Sequence, residues 1–301
     1  MNDTFSVVIP TRNRVAEVSA LVDRLERLDA APDQIVVVDD GSTDGTVATL
    51  RGRGPGAVPL VVVDGPSDGP ASARNLGVES ATSEWLVFLD DDDEPDADWM
   101  STFRRLVADS APSGSDPSHL SVGFRVRRDG MLTDMGIEDL GPAFGDAHAN
   151  ILAGTFAVRR TRFDAIGGFL DGLRHMEFTE LALRLFERWS PGELGVVVEP
   201  ASHLTIVARS IADRVSQHPE VLAETGLRVL ATTDHLWQRD RRRYADQLAT
   251  FGVAAIRAGR GALGRRWLVK AFIMVPTSWR HAARAALSLV PPLARRVWVR
   301  P

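Results

Sequence analysis

Four consecutive carboxylates, Asp90, Asp91, Asp92 and Asp93, with Glu94 beside them, stand directly after the apolar run Trp85-Leu-Val-Phe-Leu89. Adjacent carboxylates repel one another unless a positive charge sits among them. A hard divalent cation, Mg²⁺ or Mn²⁺, would supply it: such ions take oxygen ligands and keep waters and substrate phosphates in their shell. A plainer reading is a solvated acidic turn that caps the next helix. The position at the end of a β-type run favours the metal, because open α/β sheets deliver charged groups to a crevice at the C-terminal ends of their strands.

The elements that must position these acids follow from periodicity. Phe5–Ile9, Ile35–Asp39, Leu60–Val63 and Trp85–Leu89 are continuous apolar runs of buried-strand length. Between them Val15, Val18, Leu21, Val22, Leu25 and Leu28 recur at helical spacing, and short helices are expected at 46–51, 71–81 and 98–108. This βαβαβαβ rhythm predicts an α/β fold, a mostly parallel sheet with helices on both faces. The loops at 10–14, 39–45 and 90–94 should then open on one edge, where ligands bind at a topological switch point. Gly41 and Gly45 allow a tight turn, and Asp44 or Ser42 can cap the helix after it.

The middle is less regular. A flexible loop is expected at 111–117, a hairpin around Arg128-Asp129-Gly130, and a mobile Gly-rich loop from Glu138 to Asn150. Ile151–Val158 and Val196–Val198 read as strands, Glu177–Trp189 as a helix, and the chain from about Ile211 as helical. The expected organisation is a domain over 1–205, with halves at 1–110 and 111–205, and a helical, basic C-terminal appendage over 206–301.

The chain has 301 residues, 44% of them hydrophobic, which is ample for one large core. Without cysteine there is no disulfide, thiolate ligand or cysteine nucleophile. No apolar run reaches the roughly 18 residues of a spanning helix, and the N-terminus shows no basic and apolar signal region. A cytoplasmic location is expected, peripheral on the inner membrane face if the tail docks there. Residues 251–301 hold ten basic residues and no acid; against a net charge of −5, the first 250 residues therefore carry −15. Arginines mixed with Trp267, Trp279 and Trp298 suit an anionic membrane surface. The competing reading of the tail is a helical appendage whose arginines pair with the acidic body.

Taken together, Val8-Ile-Pro-Thr-Arg-Asn13, Val37-Val-Asp-Asp-Gly-Ser-Thr-Asp-Gly45, Ala71-Ser-Ala-Arg-Asn-Leu-Gly77 and Phe88-Leu-Asp-Asp-Asp-Asp93 resemble, in order and spacing, the nucleotide-sugar-binding half of family 2 glycosyltransferases. Ala153–Val158, Gly167-Gly-Phe169 and Glu177-Phe-Thr-Glu-Leu181 resemble the acceptor half more loosely. The resemblance covers roughly residues 4–205. It implies a GT-A fold, a nucleotide-diphospho-sugar donor, Mn²⁺ or Mg²⁺, and inversion at the anomeric carbon. It also implies transfer to an acceptor hydroxyl on a glycan or lipid-linked acceptor, in cell-surface glycan, glycolipid or secondary-metabolite synthesis. No nucleic-acid partner is expected.

Residue by residue, the resemblance implies Asp92 as the direct metal ligand, and Asp90 with Asp91 at the ribose or the metal's waters. Asp40 would accept a hydrogen bond from the base, which suits an imide N–H such as uracil's. Pro10 and Thr11 would line the base pocket, and Arg74 would approach the base or diphosphate with its phosphate-matching fork. Asp39 would hold its turn, Asn75 the loop near it, and Asp93 and Glu94 would cap the following helix. His203, in Glu199-Pro-Ala-Ser-His203, would be a further metal ligand.

The catalytic base departs from the family's pattern. An acidic pair normally precedes the helix that begins Glu-Leu; here the pair is Glu177-Phe178, with phenylalanine where the base is expected. Glu177 is the nearest substitute and Glu180, one helical turn on, the second. A catalytically silent sugar-nucleotide-binding or scaffolding protein on the same fold is the competing reading. A nucleotidyltransferase is disfavoured because Pro10–Arg14 has no glycine for a phosphate loop.

Overall fold

The computed structural model describes residues 3–110, 116–207 and 218–298, apart from the side chain of Arg295. Most of the loop expected at 111–117, and the start of the helical region at 211, fall outside those residues. The chain divides into two units. The first comprises Met1–Leu140, Phe144–Leu173 and Glu177–Arg209; the second comprises Gly141–Ala143, Arg174–Met176 and Ser210–Pro301. The two short excursions into the second unit have no counterpart in the sequence pattern.

The first unit is built on one sheet, nine-stranded among the described residues. Its strands are β1 (Phe5–Thr11), β2 (Gln34–Asp39), β3 (Leu60–Asp64), β4 (Trp85–Phe88), β5 (Glu94–Pro95), β6 (His119–Arg128), β7 (Met131–Met135), β8 (Phe156–Arg159) and β9 (Val196–Val207). They lie in the order β3-β2-β1-β4-β8-β6-β9-β5, with β7 paired to β6. β1 runs parallel to both β2 and β4, and β2 to β3. The chain therefore steps outward from β1 to β3 and returns to the opposite side of β1 with β4. That reversal makes the C-terminal ends of β1 and β4 the switch point. Beyond β4 the pairing turns antiparallel through β8, which pairs with β4 and β6.

Alternation along the strands sends side chains to two layers. Val7, Ile9, Val37, Val87 and Leu89 pack with Val18, Leu21, Val22 and Leu25 of α1 (Val15–Glu26) and with Phe103, Leu106 and Val107 of α4 (Trp99–Ser110). Besides the short helices α2 (Thr46–Arg51), α5 (Arg160–Ala165) and α7 (Pro191–Leu194), the unit carries α3 (Pro70–Ser80) on the other face. A Cβ at its Gly77 would come within 2.5 Å of Val8 and 3.0 Å of Val38, so glycine lets the helix lie close on β1 and β2. The same layer carries an aromatic cluster in which Phe88 meets Phe163, Phe169 and Phe178 at centroid distances of 4.9–6.3 Å. Such ring pairs contribute roughly 0.5–1.5 kcal/mol each beyond their buried area.

Two expectations are corrected here. The loop from Glu138 to Asn150 is tied down at its ends: Asn150 donates to the carbonyls of Val122 and Gly136 and accepts from Glu138 N–H. The strand expected from Ile151 is shorter and begins at Phe156, because Thr155 folds back on Leu152 in a local turn. The hairpin is as expected, with Asp129 and Gly130 both at positive φ between β6 and β7, as a two-residue hairpin turn requires.

The second unit is helical in its described part: α8 (Pro219–Trp237), α9 (Arg241–Arg257), α10 (Gly261–Met274), α11 (Trp279–Ser288) and α12 (Pro291–Trp298). Tyr244, the only tyrosine, and Lys270, the only lysine, meet there: Lys270 Nζ donates to Asp234 (2.9 Å) and to the Tyr244 hydroxyl (2.6 Å). This pins α8, α9 and α10 together. Among the described residues no helix is long and apolar enough to cross a membrane.

Candidate active site

Two guanidinium groups sit among the aspartates. Arg14 Nη1 lies 3.1 Å from Asp91 Oδ1 and 3.0 Å from Asp92 Oδ2. Arg74 Nη2 lies 2.5 Å from Asp90 Oδ1. Arg14 precedes α1, and its position is set by a lacing of two loops. Asn13 takes positive φ, its N–H donates to Ser42 Oγ, and its side-chain oxygen accepts from Thr43 N–H. Asp44 then accepts from Val15 N–H and from Thr46. Arg14 was not singled out by sequence reasoning. The signal was its place at the end of Pro10–Arg14, one strand end away from the acids.

The four aspartates are not equivalent. Asp91 is buried; its Oδ2 accepts from Thr11 Oγ1 at 2.8 Å. Burial pushes its carboxyl up to about 6, opposed by Arg14 and Thr11 and reinforced by Asp92 and Asp90. Asp91 and Thr11 are thus brought together as a brace at the strand ends. Asp90 is the more open of the other two, with 40% of its side chain exposed, while Asp92 keeps 17% beside Arg14. Asp93 is a correction: it accepts from Val207 N–H and ties the acidic turn to β9. Glu94 likewise bonds Arg127 of β6. Neither caps α4, which starts only at Trp99.

Asp40 is buried, and its two oxygens accept from the backbone N–H groups of Asp68 (3.2 Å) and Gly69 (2.9 Å). It holds the loop that leads into α3, and each oxygen keeps a second lone pair for a ligand. Asp39 holds its turn as expected, accepting from Ser42 N–H. Pro10 lies on β1 opposite Val38, half-buried. Asn75 clamps the distant loop around Phe169 by exchanging bonds with that residue's backbone.

Arg74 is the junction of the site. Although it is almost completely buried, its second nitrogen, Nη1, lies 2.9 Å from Glu177 Oε1. Its guanidinium stands over the ring of Phe178 at 4.5 Å and near that of Phe169 at 5.8 Å. Glu177 opens α6 (Glu177–Arg188), and Phe178 faces inward into the aromatic cluster. The phenylalanine that replaces an acid thus forms the floor under the arginine.

Two expected site residues are not brought into this group. Glu180 is fully buried and bidentate to Arg184, whose fork also holds the carbonyls of Ile166 and Gly168. It fixes the loop before α6, with its carboxylate fully buried and bound at both oxygens by Arg184. His203 lies buried on β9, its Nδ1 3.1 Å from Asp98 before α4. Among the described residues no three His, Asp or Glu side chains are gathered as a metal cage. A cavity of about 710 Å³ runs along α1 behind Asp91–Glu94, but Pro10, Asp40, Arg74 and Glu177 are absent from its lining.

The donor set suits a hard cation held by few protein ligands. Asp90 and Asp92 present two partly exposed carboxylates from a single turn, and Mg²⁺-type sites use one or two carboxylates with substrate phosphates and water.

The family model for glycosyl transferase family 2 matches residues 6–167. A PGL/p-HBAD biosynthesis glycosyltransferase of Mycobacterium tuberculosis is 33% identical over 111 residues, 36% of this chain and 43% of that protein. The match therefore spans less than half of that relative's length. Succinoglycan biosynthesis protein ExoA of Rhizobium meliloti is 26% identical over 215 residues, 66% of this chain and 64% of that protein. Among solved structures, Staphylococcus aureus TarS 1–349 in complex with UDP-GlcNAc superposes with a TM-score of 0.58 at 18% identity, covering 97% of this chain and 87% of that one. The mannosyltransferase PcManGT of Pyrobaculum calidifontis, in complex with GDP-Man and Mn²⁺, gives 0.59 at 17% identity, covering 100% and 89%. These likenesses show the fold.

Proposed function

The chain belongs to glycosyl transferase family 2, and on that footing we propose that it transfers a sugar from a nucleotide-diphospho-sugar to an acceptor hydroxyl, with inversion. The carrying observation is the bridge from Asp90 through Arg74 to Glu177. It joins the acidic turn at the switch point to an acid at the start of α6.

In this reading Asp92 and Asp90 hold Mn²⁺ or Mg²⁺, which when bound neutralises charge on the departing diphosphate. Thr11 and Pro10 line the base side, and Asp40 accepts from the base through its remaining lone pairs. Glu177 takes the proton of the acceptor hydroxyl as its oxygen bonds the anomeric carbon. The bond from that carbon to the diphosphate breaks on the opposite face, and the nucleoside diphosphate leaves with its electron pair. Arg74 holds Glu177 in place and offers positive charge beside Asp90. Positive charge at that place is worth more as negative charge develops on the leaving group, so the arrangement favours the transition state over the ground state. The acceptor is a glycan or lipid-linked hydroxyl, as in cell-surface glycan or glycolipid synthesis.

Phe178 supports a second reading, a sugar-nucleotide-binding protein without turnover. Release of nucleoside diphosphate from UDP-, GDP- and dTDP-sugars with Mn²⁺ separates the two, comparing wild type with Glu177→Gln. Turnover lost in the variant with donor binding retained supports transfer. Tight donor binding without turnover in either protein supports the silent reading.

A further inference from the structure

α11 carries its apolar face outward. Trp279, Ala283 and Ala286 recur at i, i+4 and i+7, so they share one side of the helix. Trp279 is 75% exposed, and Ala283, Ala286 and Val290 are exposed with it. The inward side holds His281, Ala285 and Ser288, with His281 Nε2 3.3 Å from Asp246 of α9. A helix that only covered a core would present the opposite pattern. The exposed apolar surface continues through Leu289 (60% exposed) to Leu293 and Val297 of α12, four residues apart on one face. Ile273, near the end of α10, is exposed as well.

Basic side chains flank this surface. Arg266, Arg280 and Arg296 are exposed and Arg284 is half-buried, in a stretch from 251 that contains ten bases and no acid. A second copy of the chain seated on the same face would bring like charges together. Nucleic acid would use the arginines but leave the Trp, Leu and Val side chains unburied. A bilayer surface with anionic headgroups accommodates both, with apolar side chains at the acyl boundary and arginines at the phosphates. We propose that the outer face of α11 and α12 docks this protein on an anionic lipid surface, with Trp279, Leu289, Leu293 and Val297 entering the interface and Arg280, Arg284 and Arg296 meeting headgroups. The proposal goes beyond the transferase reading and does not depend on it.

The test is flotation of the full chain with phosphatidylcholine vesicles and with vesicles containing phosphatidylglycerol. Two triple variants are compared with wild type: Trp279→Ser with Leu293→Ser and Val297→Ser, and Arg280→Gln with Arg284→Gln and Arg296→Gln. The wild type should float with anionic vesicles alone, and the arginine variant should bind roughly 100-fold more weakly at moderate salt. The apolar variant should bind at least about tenfold more weakly. Both variants should keep the wild-type melting temperature and the wild-type donor affinity, which separates a failure here from a failure of the transferase reading. Flotation that is absent in wild type, equal on neutral vesicles, or unchanged in both variants overturns the proposal. So does a concentration-dependent dimer in sedimentation velocity that the apolar variant abolishes.

Discussion

Arg74 Nη1 and Glu177 Oε1 lie 2.9 Å apart, and Arg74 reaches Asp90 with its other terminal nitrogen. One buried guanidinium thus spans from the end of β4 to the start of α6. Lysine, a point charge with no fork, cannot hold both carboxylates in this way. Arg74→Lys should lower kcat about 100-fold with a much smaller change in the KM for donor, and Arg74→Met should cost about 3 kcal/mol of stability by leaving the carboxylates uncompensated. Steady-state kinetics and urea melts check the two effects. An unchanged kcat in Arg74→Lys would remove Arg74 as the residue that positions Glu177.

Arg14 Nη1 stands between Asp91 and Asp92, where a positive charge is needed whether or not a metal is bound. Arg14→Gln should therefore lower the melting temperature of metal-free protein, and Mn²⁺ should restore more of it than in the wild type, by mass action. Thermal melts against Mn²⁺ concentration, with no nucleotide present, measure this. Equal Mn²⁺ shifts in both proteins would contradict the role given to Arg14.

Glu177 and Glu180 lie one turn apart on α6 but differ in kind. Glu180 is sealed in the Arg184 pair, so Glu180→Gln should destabilise by about 3 kcal/mol, the cost of leaving Arg184 without its carboxylate. Glu177→Gln should leave the melting temperature within a few degrees of wild type and remove turnover. A Glu180→Gln protein of normal stability but without turnover would reverse the assignment.

The sequence pattern carried the strands of the first half, their loops and the acidic turn, because continuous apolar runs ending in polar loops leave few other folds. What it could not carry was pairing at a distance. Arg14 against Asp92, Arg74 against Glu177 and Asp93 against Val207 N–H join residues 78 or more positions apart. His203 and Glu180 show the converse. Each had the right type and spacing, yet each is buried. Glu180 is bound at both oxygens by Arg184, while His203 has its Nδ1 3.1 Å from Asp98 with no hydrogen bond to either ring nitrogen among the described residues. The excess charge of the C-terminal region was plain from composition. That α11 turns its apolar side outward was not, since the wheel identifies a face without saying which way it points.

His119 is buried on β6, stacked on Phe156 at 5.3 Å, and burial lowers its imidazole to about 4. An imidazole kept neutral in the fold but free to protonate when unfolded stabilises the protein above about pH 6.5. That contribution is lost as pH falls from there toward 4 and is gone below it. The loss should reach about 3 kcal/mol. His119→Phe should flatten this acid limb of the stability curve, as measured by urea unfolding at pH 7, 5.5 and 4. An acid limb as steep in the variant as in wild type would assign it to other groups.

In the proposed function Asp92 and Asp90 hold a divalent metal against the diphosphate of a sugar nucleotide. Calorimetric titration of UDP-GlcNAc and GDP-mannose into wild type and Asp92→Asn, each with Mn²⁺ and with EDTA, tests it most directly. Wild type should bind one of the two donors only with Mn²⁺, and Asp92→Asn should weaken that binding at least about tenfold, a loss of roughly 1.4 kcal/mol. Donor binding of equal strength with EDTA, or unaffected by Asp92→Asn, would contradict it.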